Sequence, residues 1–184
     1  MKDTSPTRAL PDEELVRLAR AGTAAAMDEL VSRHYESAYR VAMGILRDGD
    51  HAADVAQEAF LKAFRGLKGF RGDAAFRTWL LTIVANEAKG LFRRVGRRKE
   101  QDLEIAGPLA ADAEDAQGRL EEEEEGARVR RLLERLPEKQ RQAVTLRVFE
   151  ALSFREIGAL IDSTEGAARV NYHHGIRRLR EMLG

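Results

Sequence analysis

Asp54-Val55-Ala56-Gln57-Glu58-Ala59-Phe60-Leu61-Lys62-Ala63-Phe64 decides the fold. Alanine and straight-chain residues dominate this stretch and neither Gly nor Pro interrupts it, so it reads as helix. Side chains three and four apart share a helix face. Val55, Ala56, Ala59, Phe60 and Ala63 therefore form an inward stripe, with Asp54, Gln57, Glu58 and Leu61 outside it. An apolar Leu61 inside an acid-amide-acid cluster fits two readings. A groove on a partner helix would use one apolar anchor with polar groups fixing register, while single exposed leucines are also ordinary on a solvated helix.

The composition around this stretch points the same way. The chain has 184 residues, enough for one or two small domains with a core. Four prolines, 43% hydrophobic residues and many Ala, Leu, Glu and Arg favour an all-helical chain, and no run of alternating β-branched residues calls for a sheet. No apolar run approaches the roughly 18 residues that a membrane span needs, and no charged-then-apolar leader opens the chain. Neither a membrane insertion nor a secretory signal is expected, which implies a cytoplasmic location. The absence of cysteine excludes disulfides, thiolate zinc sites and a thiol redox switch within the chain.

A formal net charge of zero hides a strong asymmetry. Residues 100–126 carry eleven acids against Arg119, a net of −10. Residues 1–99 hold 18 basic and 13 acidic residues, and residues 127–184 hold 12 and 7, so each flank is +5. Two basic modules joined by an acidic strap suit a nucleic-acid binder whose middle stays off DNA.

The chain then reads in order. Met1 to Pro11 is a polar tail with two prolines, expected to fray. Asp12 opens a short helix to about Ala21 that offers Leu15, Val16, Leu18 and Ala19 for burial; Gly22 ends it and Thr23 is placed to cap the next. Apolar residues from Met27 to Leu46 recur at threes and fours in a long amphipathic helix reaching Arg47. Asp48-Gly49-Asp50 breaks it and caps the helix that contains the opening stretch. Gly66, Gly69 and Gly72 make residues 65–73 a loop, with Phe70 between Lys68 and Arg71. Phe70 either folds back onto the core or serves as an aromatic platform among cations.

From Asp73 to about Val95 a further helix places Phe76, Leu80, Ile83, Val84, Glu87 and Leu91 on one side, with Trp79 at the border. Its other face, Thr78, Thr82, Ala85, Asn86, Lys89 and Arg93, is small, polar and finally basic, as a helix along a nucleic-acid strand would need. Lys89, Arg93, Arg94, Arg97, Arg98 and Lys99 place six cations in eleven residues, a phosphate-binding density. Residues 100–126 contain Gly107-Pro108 and read as an acidic flexible linker, with Glu121 to Glu125 alternatively starting the next helix, where acids suit the positive dipole end.

The last third reads as a second module. Val129, Leu132, Leu133 and Leu136 give a short helix, and Pro137 suits the first position of the next, which carries Ala143, Val144, Leu146, Val148 and Phe149. Ser153-Phe154-Arg155-Glu156 is a capping box before Ile157, Leu160 and Ile161. Asp162-Ser163-Thr164 then turns into a last helix from Glu165 to about Leu183. Short helix, tight turn and long basic helix make a helix-turn-helix. Ala168, Tyr172, Ile176, Leu179 and Leu183 should face its core, leaving Arg169, His173, Arg177 and Arg180 outside. Arg169, near the start of that helix, is placed for bidentate contact with guanine. Adjacent helical positions point about 100 degrees apart, so His173 and His174 do not make a metal site, and no metal, cofactor or catalytic constellation is expected.

Asp-x-x-Gln-Glu-x-Phe-Leu-x-Ala from Asp54, followed by Phe70-Arg71-Gly72 and Phe76-Arg77-Thr78-Trp79-Leu80, resembles region 2 of bacterial RNA polymerase sigma factors of the extracytoplasmic-function group. Leu-Pro-x-x-x-Arg from Leu136 to Arg141, with Leu152-Ser153-Phe154-x-Glu156-Ile157 and Glu165-Gly166-Ala167-Ala168-Arg169, resembles region 4 of the same group. The two occur in the family's order, which is more specific than either alone.

The resemblance implies an all-α fold of two small helical domains, 1–99 and 127–184, joined by the linker 100–126. It implies a non-enzymatic alternative sigma factor that binds core RNA polymerase, recognises minus-10 and minus-35 promoter elements and promotes melting. Asp54, Gln57 and Glu58, with Leu61 beside them, would meet the beta-prime clamp helices. Phe70, Arg71, Arg77, Trp79, Asn86, Lys89 and Arg93 would meet the minus-10 element, where unstacking a base costs on the order of a few kcal/mol and stacking on a platform returns roughly 1–3 kcal/mol. Thr164, Arg169, Asn171, His173, His174 and Arg177 would meet the minus-35 element. The beta flap and an anti-sigma factor are the further implied partners, and the linker would run towards the RNA exit path. Asn171 and His173-His174 depart from the family's commoner basic, aromatic or leucine residues, which implies a different promoter preference. The rival reading is a helix-turn-helix regulator that binds an operator without polymerase.

Overall fold

The computed structural model describes the backbone of residues 6–102, 128–129 and 131–183, and the side chains of all of these except residues 6 and 96–102. A 3-10 turn, Pro6–Ala9, precedes α1 (Asp12–Arg20), α2 (Ala24–Leu46) and α3 (Gly49–Gly66); a second 3-10 turn, Leu67–Gly69, leads to α4 (Phe76–Asp102). Residues 131–134 are helical and lead to α5 (Glu138–Val148), α6 (Phe154–Leu160) and α7 (Glu165–Leu183). Among the described residues every regular element is helical. The expected linker falls outside them except for residues 100–102, which continue α4.

The first module is built by close approach of alanines. Ala38 and Ala42 on α2, Ala52, Ala56, Ala59 and Ala63 on α3, and Ala88 on α4 are fully buried, and Leu15, Leu30, Leu80 and Leu81 fill the space between them. Small side chains let α2, α3 and α4 pack closely, while the leucines supply apolar area at about 25 cal/mol per Å² removed from water. The inward stripe expected of the opening stretch is buried in full. Asp48 caps α3 by accepting from the His51 amide at 2.8 Å. That bond holds the Asp48 carboxyl below the usual carboxylate range. Thr23 occupies the N-cap of α2, but its side chain makes no capping bond.

Several boundaries differ from the sequence reading, each for a local reason. The start of the chain is not loose from residue 6 onward: Thr7 is buried, and Arg33 Nη2 donates to the Arg8 carbonyl at 3.0 Å. Helix α3 runs to Gly66, because Leu67 is buried and keeps the chain turning into the 3-10 segment. Gly72, at φ +78°, adopts a left-handed conformation that glycine takes without strain. Helix α4 begins at Phe76, not Asp73. Ala85 is 1% exposed and does not belong to the open face of α4, since Leu146, Leu160 and Ile161 of the second module line the same seam.

In the second module, Pro137 is the N-cap of α5 and not its first turn, with ψ 144°. Leu183, expected to face the core, is 56% exposed, and Val148 and Phe149 at the end of α5 are 53% and 45% exposed. The core there is Leu136, Ala143, Val144, Leu146, Leu152, Ile157, Leu160, Ile161 and Ala168. Two glycines permit its closeness. A Cβ on Gly175 of α7 would meet Val144 Cγ2 at 2.6 Å, and one on Gly158 of α6 would meet backbone atoms of Thr164 and Ser163 at 2.9 and 3.0 Å.

The capping box of α6 is complete: Ser153 Oγ accepts from the Glu156 amide, and Glu156 Oε2 accepts from the Ser153 amide at 2.8 Å. The two modules pack together, α2 on α5 and α4 on α6, so the apolar core is continuous between them.

Gly158→Ala should cost about 1–3 kcal/mol through crowding against backbone that cannot yield, although alanine is the better helix former. An undiminished urea midpoint would refute the close approach. Hydrogen bonds from the Ser153 hydroxyl first, then the Ser153 amide and Thr78, hold the Glu156 carboxyl below its usual value of 4.5. A depressed carboxylate stabilises the fold above its unfolded pKa and loses that contribution as pH falls through the folded one. Glu156→Gln should therefore flatten the acid limb of a stability-against-pH profile while leaving its shape above neutrality unchanged.

Candidate polymerase and nucleic-acid interface

Helix α3 presents the ridge expected of it. Asp54 and Gln57 are exposed, Leu61 is 49% exposed, and the opposite stripe is buried. Glu58 lies at the margin of the ridge, half-buried and 4.0 Å from Arg65. Lys62, next to Leu61, is bound to Glu87 at 2.7 Å, which ties α3 to α4 beside the ridge.

The residues expected to meet a nucleic-acid strand along α4 differ in their exposure and in their contacts with the second module. Asn86, Arg93 and Arg94 are exposed. Arg77 is engaged: it donates to the Glu150 backbone carbonyl at 2.8 Å and to the Glu150 carboxylate through Nη2. Lys89 Nζ binds Asp162 Oδ1 at 2.8 Å, and Thr78 Oγ1 donates to Glu156 Oε1 at 3.1 Å. All three partners are acids of the second module. Arg97, Arg98 and Lys99 lie on the backbone of α4, and their side chains lie outside the described residues.

On α7, Thr164 caps the helix by accepting from the Ala167 amide at 3.1 Å. Arg169, His173, His174 and Arg177 are exposed. Arg169 is also held, by Glu165 at 2.9 Å and over the Phe154 ring at 5.2 Å. Arg147 approaches the same ring at 5.0 Å, so Phe154 carries two guanidiniums. Asn171 is half-buried, and its amide donates to the Ala167 carbonyl at 2.9 Å, turned to its own helix and not outward.

Phe70 folds back onto the core. Its ring lies 4.8 Å from Trp79 and 6.3 Å, edge-on, from Phe76, whose ring in turn meets His34 at 5.6 Å. Arg71 is exposed and bound to Asp73 at 2.8 Å. The sequence reading missed what holds this loop. Arg20, at the end of α1, donates to the carbonyls of Leu67 at 3.2 Å and Phe70 at 2.5 Å. These contacts join residues 47 and 50 apart in sequence, and no local spacing announces them. The start of α1 is anchored as well, with Asp12 bound to Arg33 at 3.0 Å and to His34 Nε2 at 2.6 Å. Arg20→Ala should lower stability by roughly 1–2 kcal/mol. Trp79, the single tryptophan, should become more accessible to acrylamide while helix content is unchanged. Unaltered quenching would show that Arg20 does not set the loop.

Residues 30–98 match the family model for Sigma-70 region 2, and residues 126–179 match that for Sigma-70 region 4. The chain is 36% identical to the RNA polymerase sigma-H factor of Pseudomonas aeruginosa over 94% of its own length and 91% of that protein's. It is also 36% identical to the ECF RNA polymerase sigma-E factor of Escherichia coli K12, over 95% and 93%. Two solved structures share the fold. One is CnrH in complex with the cytosolic domain of CnrY, with TM-score 0.64 at 24% identity over 94% of this chain and 96% of that one. The other is the sigma factor RpoE in complex with the anti-sigma factor NepR from Bartonella quintana, with TM-score 0.67 at 21% identity over 85% and 95%. With both regions present in order and the likeness spanning nearly the whole chain, this protein belongs to the sigma-70 family of RNA polymerase sigma factors, in its extracytoplasmic-function group, and is an alternative sigma factor for transcription initiation.

Proposed function

We propose that the α3 ridge of Asp54, Gln57 and Leu61, with Glu58 at its margin, docks on the beta-prime clamp helices of core RNA polymerase. The observation that carries this reading is one helix with two opposed faces: a fully buried alanine and phenylalanine stripe, and an exposed acid-amide-leucine ridge. One apolar anchor flanked by polar groups is how a helix seats in a partner's groove. The role is one of binding and not covalent chemistry, as befits a family of DNA-binding initiation factors.

The minus-10 element falls to the Phe70 loop and α4, through Phe70, Arg71, Arg77, Trp79, Asn86, Lys89 and Arg93, and promoter melting follows from their hold on the separated strand. The minus-35 element falls to α7, through Thr164, Arg169, Asn171, His173, His174 and Arg177. For Asn171 this requires release of its bond to Ala167. The exposed Val148 and Phe149 at the end of α5 suit an apolar contact with the beta flap. An anti-sigma factor is the further partner, one that covers these surfaces. None of the described helices is long and apolar enough to cross a membrane.

Reversing charge at Asp54 and Glu58 to lysine should weaken binding to core polymerase about thirtyfold, the ratio of a hot spot of about 2 kcal/mol. Circular dichroism should stay unchanged, because neither residue is in the core. Full co-elution of this variant with core polymerase, or normal transcription from it, would overturn the docking surface.

A further inference from the structure

We propose that Arg40 and Arg77 form an anion site on the first module, that Glu150 of the second module occupies it in the free chain, and that a phosphate of the promoter strand takes Glu150's place when the modules part. The inference rests on the reading of α4 as the strand-binding helix.

Glu150 lies between α5 and α6, yet its side chain is buried in the other half of the molecule, with no exposed surface. Arg40 Nε of α2 donates to Oε1 at 2.6 Å, Arg77 Nη2 of α4 donates to Oε2, and Arg77 Nη1 donates to the Glu150 carbonyl. A carboxylate taken out of water persists only beside such partners. The guanidinium fork that grips it fits a phosphate equally well. Arg40 has no part in the surfaces assigned above; its Nη1 is held by Glu36 of the same helix, and its Nε, beside Arg77, gives the site a second cation.

Glu150 is not alone. Glu156 and Asp162 follow at intervals of six residues and reach Thr78 and Lys89. Three acids of the second module thus cover α4 from residue 77 to residue 89, about 18 Å of helix, roughly five steps of 3.4 Å along a nucleic-acid strand. Carboxylates stand along the face where strand phosphates would stand, and they neutralise Arg77 and Lys89, two of its cations.

The seam is also poorly satisfied elsewhere. Arg141 is buried against the first module with a single 3.3 Å bond to the Gly44 carbonyl, and its Nε and the neighbouring Gln142 Oε1 are buried without a partner. Polar atoms that give up water for nothing weaken a contact. The closed arrangement therefore rests on its apolar seam and its ion pairs, and the ion pairs are the part that another polyanion can replace.

The test uses the full chain carrying Glu150→Gln and Asp162→Asn, with small-angle scattering for compactness and fluorescein-labelled oligo(dT) of about 20 nucleotides for strand affinity at low salt, where phosphate contacts dominate. The radius of gyration should rise, and the affinity should tighten on the order of tenfold as the competent open fraction grows. Adding Arg40→Gln and Arg77→Gln should remove that gain. Glu13→Gln with Asp28→Asn, exposed acids away from the seam, changes net charge equally and should tighten binding far less.

A variant that stays compact overturns the latch. One that opens without binding more tightly, that keeps its gain without the two arginines, or that is matched by the charge control overturns the anion site. If Glu150→Gln fails to fold, Asp162→Asn alone decides, since Asp162 is exposed at φ +51°, which asparagine accepts; it should show the same shifts, smaller. Core polymerase binding should be unaffected in every variant. Loss of co-elution in the unmutated chain would sink the proposed function and leave these results readable.

Discussion

A carboxylate without solvent contact sets the terms on which the two halves of this chain meet. Burial of the Glu150 carboxylate depends on Arg40 and Arg77 standing beside it, so their helices must keep register with the α5–α6 junction. Helix α2 can serve both modules because it has more than one buried stripe. Ala38 and Ala42 press into the first module, while Val41 and Ile45 line the seam with Leu146 and Leu160. Arg40 lies one position from Val41, at the edge of that apolar seam, so its head meets Glu150 where the dry contact ends. The attraction gains from reduced water, and the apolar contact gains its register from the ion pairs.

The first module is likewise more integrated than the match to region 2 implies. That match begins at residue 30, whereas α1 lies before it and is tied at both ends. Asp12 holds Arg33 and His34 at the near end of α2, and Arg20 holds the 3-10 turn and Phe70 at the other. Between these ties Leu15, Val16 and Ala19 are buried. His34 then rests on Phe76, which meets both Phe70 and Trp79. The aromatic cluster under the loop is thus set by two polar anchors from a helix upstream of the matched residues, and a Phe70 so packed is not a free platform. For it to receive a base, Trp79 must yield or share its face.

What the sequence revealed follows from the range of the interactions involved. The stripes of α3, the Asp48 cap, the Ser153–Glu156 box and the helix-turn-helix rest on spacings of three or four residues, which periodicity records directly. Glu150, Arg40, Arg77 and Arg20 could not be read in this way, because their partners lie 47 to 110 residues away. Arg77 and Lys89 stand among the residues expected to meet nucleic acid, and the acids that meet them here, Glu150 and Asp162, lie 73 residues away in sequence, where no local spacing shows them. Ala85 looked surface-exposed for the same reason. The resemblance places Asn171 at the minus-35 element, and what it cannot announce is the i−4 bond to Ala167 that competes for the amide, a known habit of short polar side chains within helices.

The second module is electrically two-sided, and this connects its fold to its candidate roles. Glu150, Glu156 and Asp162 face the first module. Arg169, Arg177, Arg178 and Arg180 are exposed on α7. Since each flank of the chain carries +5 in total, two uniformly basic bodies would repel, yet this distribution lets them pack, acid row to cation row, while α7 keeps its positive surface outward. The same row of acids that permits packing also withdraws Arg77 and Lys89 from solution. A chain so arranged can present the positive face of α7 while its α4 face is covered, and uncovering α4 requires both that the apolar seam of Val41, Ile45, Leu146 and Leu160 part and that three carboxylates be exchanged for another set of anions, at contacts whose strength falls with salt for the exposed Asp162 and far less for the buried Glu150.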